Sequence, residues 1–214
     1  ASAMTQTNVN ILTGEGADTI ILDTADANDD VYTIKTNAGN DTIEVATLAG
    51  FTDDFVDAGD GIDSIKITGS TAVVDSNFGE FILNTEKLVF SSTAAQTITL
   101  DALAQASGIN SVDVTASTNT VDADLSAMTN SFTYVGGSGV DTVSAGLGKD
   151  SYSLGDGNDN LKISKAGWTV DDVIDAGAGD ADTITMLEAF NVSDALFTNV
   201  SNVESIIMDL NANV

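Results

Sequence analysis

Apolar and polar residues alternate over short distances along most of the chain, and glycine and aspartate break the alternation at close intervals. Phe81-Ile82-Leu83, Leu88-Val89-Phe90, Thr97-Ile98-Thr99-Leu100 and Val112-Asp113-Val114 are typical runs, either alternating or continuously apolar. Runs this short, bounded by turn formers, predict β-strands rather than helices. Between residues 67 and 135 they follow one another with no long loop, and no proline interrupts the chain. The segment Leu100-Asp101-Ala102-Leu103-Ala104-Gln105-Ala106 reads as one or two helical turns. Many short strands at regular spacing predict an all-β fold, a right-handed parallel β-roll or β-helix in which each strand stacks on one that returns after a circuit of the chain.

The breaks in the pattern are themselves periodic. Residues 136–144, 145–153 and 154–162 are three nine-residue copies of the form x-G-x-G-x-D-x-U-x, where U is Val143, Tyr152 or Leu161. They carry Gly137, Gly139 and Asp141, then Gly146, Gly148 and Asp150, then Gly155, Gly157 and Asp159. Single copies stand at Gly14, Gly16, Asp18 and Ile20, at Asn37, Gly39, Asp41 and Ile43, and at Gly59, Gly61, Asp63 and Ile65. A degenerate copy holds Asp26, Asn28, Asp30 and Tyr32, and one with an inserted residue holds Gly177, Gly179, Asp180, Asp182 and Ile184.

A longer period lies over the short one. Asp18, Asp30, Asp41 and Asp63 match Asp141, Asp150, Asp159 and Asp182 in order, at offsets of 118 to 123 residues. The segment from Ala49 to Gly59 aligns with that from Ala166 to Gly177, and Asn84-Thr85-Glu86-Lys87-Leu88 aligns with Asn202-Val203-Glu204-Ser205-Ile206. The chain is therefore read as two tandem units of about 120 residues. The first spans 7–135, with turns over 14–65 and a β-helical remainder over 66–135. The second, incomplete, spans 136–214, with turns over 136–184 and strands over 185–214. Residues 1–6 read as a cloning remnant.

Composition narrows the chemistry. Of 214 residues 33 are acidic and six basic, for a net charge of −27, and there is no His and no Cys. All six bases are Lys, and only six of the acids are Glu, so the charge is almost entirely aspartate. That composition leaves no usual zinc site, no thiol nucleophile, no disulfide and no Ser-His-Asp relay. It argues against nucleic acid or anionic lipid as partner. At 43% hydrophobic residues the chain is not a disordered acidic tail. No stretch approaches 18 consecutive apolar residues, so no membrane span is expected, and no segment has the pattern of a cleavable signal.

The turn supplies what this charge lacks. Glycine at its second and fourth positions lets the backbone curl and aim carbonyl oxygens inward. Aspartate at the sixth adds a carboxylate, and the apolar residue two further on starts a strand. Ca²⁺ takes six to eight oxygens and accepts carbonyls and carboxylates together. One turn offers too few, whereas two stacked turns offer enough, so several Ca²⁺ ions are expected between neighbouring coils.

These residues resemble the RTX family of calcium-binding repeats, whose consensus G-G-x-G-x-D-x-U-x is matched by residues 136–144 at every defined position. The larger unit, with its Asn-x-Glu strand, looks like segments of giant bacterial adhesins and RTX-type surface-layer proteins. The resemblance implies turns alternating between the two sides of a flattened roll. Asp141 would then pair with Asp159, Asp150 with the Asp180/Asp182 turn, Asp18 with Asp41, and Asp30 with Asp63. It departs from the family where turns 14–63 are spaced more widely than nine residues and where Asp26 and Asn28 replace glycines.

Asp53, Asp54, Asp57, Asp171, Asp172 and Asp175 read either as accessory ligands or as solvated loop residues. Trp168 and Phe51 read as packing residues rather than sugar platforms, Glu86 and Glu204 as structural hydrogen-bonding groups, and Tyr32 and Tyr152 as core. Carboxylates that recur do not suggest a catalytic pair, so no enzyme activity is expected. The expected role is a calcium-binding structural module of a secreted bacterial surface protein, a surface layer or coat, with further copies or repeats of itself as partner and cell-surface polysaccharide as another candidate. The alternatives are a spacer or ligand-binding segment of an adhesin and a non-catalytic module of a secreted enzyme.

Overall fold

Where the sequence alternates the backbone is extended, and the apolar member of each pair points inward. The computed structural model describes residues 8–22, 31–49, 54–69, 72–79 and 81–209. Among them are twenty strands of two to five residues, one α-helix of six and two short 3-10 turns. The strand pairings are parallel and join strands one circuit apart. The fold is a β-solenoid, as the pattern predicts. No helix among the described residues is long and apolar enough to cross a membrane.

Three sheets run along it. The first holds Asn8–Leu12, Val31–Lys35, Phe55–Asp57 and Ile82–Leu83. The second has nine strands, from Thr19–Ile21 through Thr42–Val45, Ser64–Ile67, Lys87–Phe90, Ser111–Asp113, Thr133–Val135, Ser151–Ser153 and Val173–Asp175 to Val200–Ser201. The third has seven, from Ala72–Val73 through Gln96–Thr99, Val121–Asp124, Asp141–Ser144, Asn160–Ile163 and Thr183–Met186 to Ser205–Met208. Coil length records the short repeat. Thr133 pairs with Ser151 and Thr142 with Asn160, each 18 residues on, so two nine-residue turns make one circuit there. Thr19 to Thr42 takes 23 residues and Thr42 to Ser64 takes 22.

The chain starts by alternating between the first and second sheets and finishes by alternating between the second and third. The exchange happens between Phe55 and Thr99, where all three sheets are visited in turn. A helix, Ala102–Ser107, then packs by Ile82–Leu83, the last strand of the first sheet, and by the 3-10 turn Asp75–Asn77. The Asp75 carboxylate accepts the N–H groups of Asp101, Leu103 and Ala104, satisfying orphan donors at the helix start. Gly108, at φ 106°, ends the helix in the left-handed conformation.

The core is a continuous stack. In the second sheet Ile20, Ile43, Ile65, Leu88, Val112, Tyr134, Tyr152 and Ile174 lie directly over one another and are all buried. Burying each aliphatic member stabilises the coil by about 1.5–3 kcal/mol. A slip of one residue would turn the whole row outward, so the row fixes register. The U positions Val143, Leu161 and Ile184 do the same in the third sheet. Trp168 is buried too, with Phe190 and Phe197 edge-on to its ring at 6.2 and 5.4 Å.

Candidate metal-binding columns

Each repeat places its aspartate at the corner where a turn enters a strand, and stacking lines these corners up. Asp18, Asp41, Asp63 and Glu86 enter successive strands of the second sheet. The Asp18 N–H donates to Asp41 Oδ1 at 2.7 Å, the Asp41 N–H to Asp63 Oδ1 at 2.7 Å, and the Asp63 N–H to Glu86 Oε2 at 2.8 Å. The second unit repeats the column at a different corner. There the Asp141 N–H donates to Asp159 Oδ1, the Asp159 N–H to Asp182 Oδ1, and the Asp182 N–H to Glu204 Oε2, at 2.7, 2.7 and 2.8 Å. These residues enter the third sheet, so the same motif is mounted one sheet over. Glu86 and Glu204 are hydrogen-bonding groups that close the columns.

Asp41, Asp63, Asp159 and Asp182 each use one oxygen in this way, Asp141 Oδ2 accepts the Tyr134 hydroxyl, and one oxygen of every column aspartate is left bare. Asp18 Oδ2, Asp41 Oδ2, Asp63 Oδ2, Asp141 Oδ1, Asp159 Oδ2 and Asp182 Oδ2 are buried without a hydrogen-bond partner. An ionised carboxylate is an acceptor only, and a buried oxygen without donor or cation is costly. Burial accordingly pushes Asp159 up to about 7, against the pull of the Asp141 N–H and with added repulsion from Asp141 and Asp182. Burial likewise pushes Asp141 up to about 6, opposed by the Tyr134 hydroxyl. Asp63 and Asp182 are raised for the same first reason.

The glycines bring carbonyl oxygens to the same place. A methyl on Gly179 would collide with the carbonyl oxygen of Gly157 and lie 2.8 Å from both oxygens of Asp182. One on Gly157 would collide with the Gly139 carbonyl and lie 2.8 Å from Asp159 Oδ1. In the first unit Gly61 crowds the Gly39 carbonyl, and Gly39 crowds that of Gly16. Gly59 and Gly177 adopt φ of 92° and 93°, a region in which an L side chain is strained. At Asp159 and Asp182 the corner thus sets a carboxylate beside a carbonyl from the coil beneath, both hard oxygen donors. No group of three or more carboxylates forms a metal-ligating cluster among the described residues. Any ion there would need backbone oxygens as well, which is the donor mixture Ca²⁺ accepts.

The second unit also contains a contrasting column at the entry to the second sheet. The Phe132 N–H donates to Asp150 Oδ1 at 2.9 Å, and the Tyr152 hydroxyl to Asp150 Oδ2 at 2.8 Å. The Asp150 N–H donates to Asp172 Oδ1 at 2.9 Å, and the Thr169 N–H to Asp172 Oδ2 at 2.6 Å. In the first unit the Tyr32 N–H donates to Asp54 Oδ1, so Asp54 and Asp172 occupy equivalent places.

One pairing implied by family resemblance is therefore corrected. Asp18–Asp41 and Asp141–Asp159 are neighbours, as expected. Asp150 meets Asp172 rather than the 180/182 turn, Asp63 follows Asp41, and the Asp30–Asp63 pairing lies outside the described residues. The cause is coil length. After residue 159 a circuit takes 22 or 23 residues, so the next turn on that corner is Asp182. Of the two acids there, Asp182 enters the column, while Asp180 is exposed and its N–H donates to Asn158. Asp26, Asn28, Asp30, Phe51 and Asp53 lie outside the described residues. Asp57 and Asp175 accept hydrogen bonds from the side chains of Asn84 and Asn202, both at positive φ. Sequence reasoning missed Tyr134 and Tyr152 as polar partners of the aspartates. The signal available was a tyrosine where the other repeats carry Val, Ile or Leu.

No protein-family model, curated protein or solved structure matches the chain.

Proposed function

We propose that the chain is a calcium-stabilised structural module of a secreted bacterial surface protein, of the RTX type. The observation that carries this reading is the set of six buried, partnerless carboxylate oxygens, which recur at equivalent positions of the two units. In each unit they line a column with glycine carbonyls, and Asp18, Asp41, Asp63, Asp141, Asp159 and Asp182 would hold the ions. Bound Ca²⁺ would supply positive charge and ligation energy to those oxygens. The acids would otherwise repel one another across the coils, so metal binding would be coupled to folding. Extracellular calcium modules bind at roughly 10⁻⁴–10⁻³ M, so the chain would stay open at cytosolic calcium and close outside the cell.

The role proposed is architectural rather than catalytic, in a surface layer or coat built from copies of the chain. The unbroken nine-stranded sheet gives a second reading, a stiff spacer in a long adhesin, its own support. Far-ultraviolet circular dichroism of the chain in millimolar calcium and in EGTA tests the shared premise. The expected outcome is a β spectrum with calcium that is lost with EGTA, and an unchanged spectrum would refute it. Electron microscopy after calcium addition separates the two roles, since ordered sheets mark a coat and persistent monomers a spacer.

A further inference from the structure

The inference that follows rests on the calcium reading and concerns which turns are loaded. The three consecutive nine-residue repeats look equivalent in sequence, yet the structure divides them. Asp141 and Asp159 each keep a bare buried oxygen, whereas Asp150, flanked by the same glycine spacing, keeps none. We propose that Tyr152 takes the place of a cation in the Asp150–Asp172 column, so that the turn at 145–153 carries the full repeat pattern and holds no ion.

Asp150 is buried, and its two oxygens are taken by the Phe132 N–H and the Tyr152 hydroxyl. The hydroxyl in turn accepts the Gly146 N–H at 2.9 Å, so the oxygen that donates to the carboxylate is itself fixed. Asp172, also buried, has both oxygens satisfied by backbone N–H groups. A cation entering this corner would have to displace one of these bonds and would leave a buried donor unpaired, at the cost of desolvating it. Backbone conformation does not make this division, since Gly137 and Gly139 beside Asp141 lack positive φ just as Gly146 and Gly148 do.

Tyr134 is the internal control. Its hydroxyl donates to Asp141 Oδ2 at 3.0 Å, yet Asp141 Oδ1 stays bare. A tyrosine therefore closes a corner only where a backbone N–H covers the other oxygen. The residue at the U position, two after the aspartate, decides the matter at Asp150. Val143 and Leu161 stand there in the flanking repeats and offer no hydroxyl.

The test counts calcium ions on the full chain by native mass spectrometry and by calcium titration calorimetry, for wild type, Asp150→Asn, Asp159→Asn and Tyr152→Phe. Asp150→Asn is expected to bind as many ions as wild type, although it melts at a lower temperature, while Asp159→Asn loses at least one. Tyr152→Phe bares Asp150 Oδ2 and is expected to bind one ion more. A lower count in Asp150→Asn, or a folded Tyr152→Phe with an unchanged or lower count, overturns the assignment. If Asp150→Asn fails to fold, Tyr152→Phe decides alone, since it keeps every carboxylate. A wild type that binds no calcium refutes the calcium reading and this inference together, whereas a loss confined to Asp150→Asn refutes this inference only.

Discussion

The coils at residues 87–135 and the coils bearing the Gly-Asp turns share one row of buried side chains, but their corners are satisfied differently. In the middle segment several corner groups find partners within the protein, although Gln96 Oε1 is buried without one. Gln105 Oε1 accepts the N–H groups of Thr129 and Asn130, the Ser117 hydroxyl reaches the carbonyls of Ala94 and Asn119, and the Asn119 amide reaches that of Thr93. At the Gly-Asp corners one oxygen per coil goes unmet. A β-solenoid thus needs only the apolar row to stack. The aspartate corners add buried carboxylate oxygens without a donor, which under the proposed reading an ion would meet.

The strongest way to break this comparison is to remove calcium and read exchange coil by coil. With EGTA, amide hydrogen exchange is expected to accelerate by more than about tenfold at Thr42–Val45, Ser64–Ile67 and Asn160–Ile163, and by less at Gln96–Thr99 and Ser111–Asp113. Uniform acceleration would mean that the two kinds of coil fold as one unit. Next in size, Ile98→Ala removes a fully buried side chain from a plain coil. It should cost about 2–5 kcal/mol in denaturant unfolding, by the same amount with and without calcium. Gly177→Ala forces a side chain into positive φ and against the Gly155 carbonyl. It should cost about 1–3 kcal/mol in the loaded protein, and calcium affinity should fall with it.

The smallest effect is that of pH on the metal-free chain. Burial raises Asp159 to about 7 and Asp141 to about 6, from an unfolded value near 3.8. A carboxyl raised by folding favours the fold in its protonated form. Its contribution is complete below about pH 4 and is lost as pH climbs through 6 to 7. In EGTA the urea midpoint should therefore be higher at pH 5 than at pH 8. In calcium the order should reverse, because protons compete for the same oxygens.

Much of this was legible from residue order. The alternating runs locate the strands, the nine-residue pattern locates the corners, and the 120-residue period pairs Glu86 with Glu204 as structural hydrogen-bonding groups. Three things were hidden, each for a spatial reason. The unit remounts one sheet over because residues 55–99 make two circuits that touch three faces, and no repeat records how many faces a circuit touches. Asp182 rather than Asp180 enters its column because the inserted residue shifts the turn, which only stacking reveals. Tyr152 reads as one more apolar core position, since where its hydroxyl ends depends on which corner lies beside it.

The nine-stranded sheet has a mechanical consequence. Its hydrogen bonds run along the long axis of the solenoid, so a pull on the two ends loads them in line rather than in shear. Such a rod yields one coil at a time. A coil of 22 residues, as between Thr42 and Ser64, releases about 75 Å of chain at ~3.4 Å per residue, in place of a rise of about 4.8 Å. Under tension the molecule would act as a stack of small, separately tripped extensions, and the corners that hold an ion would be the last to trip.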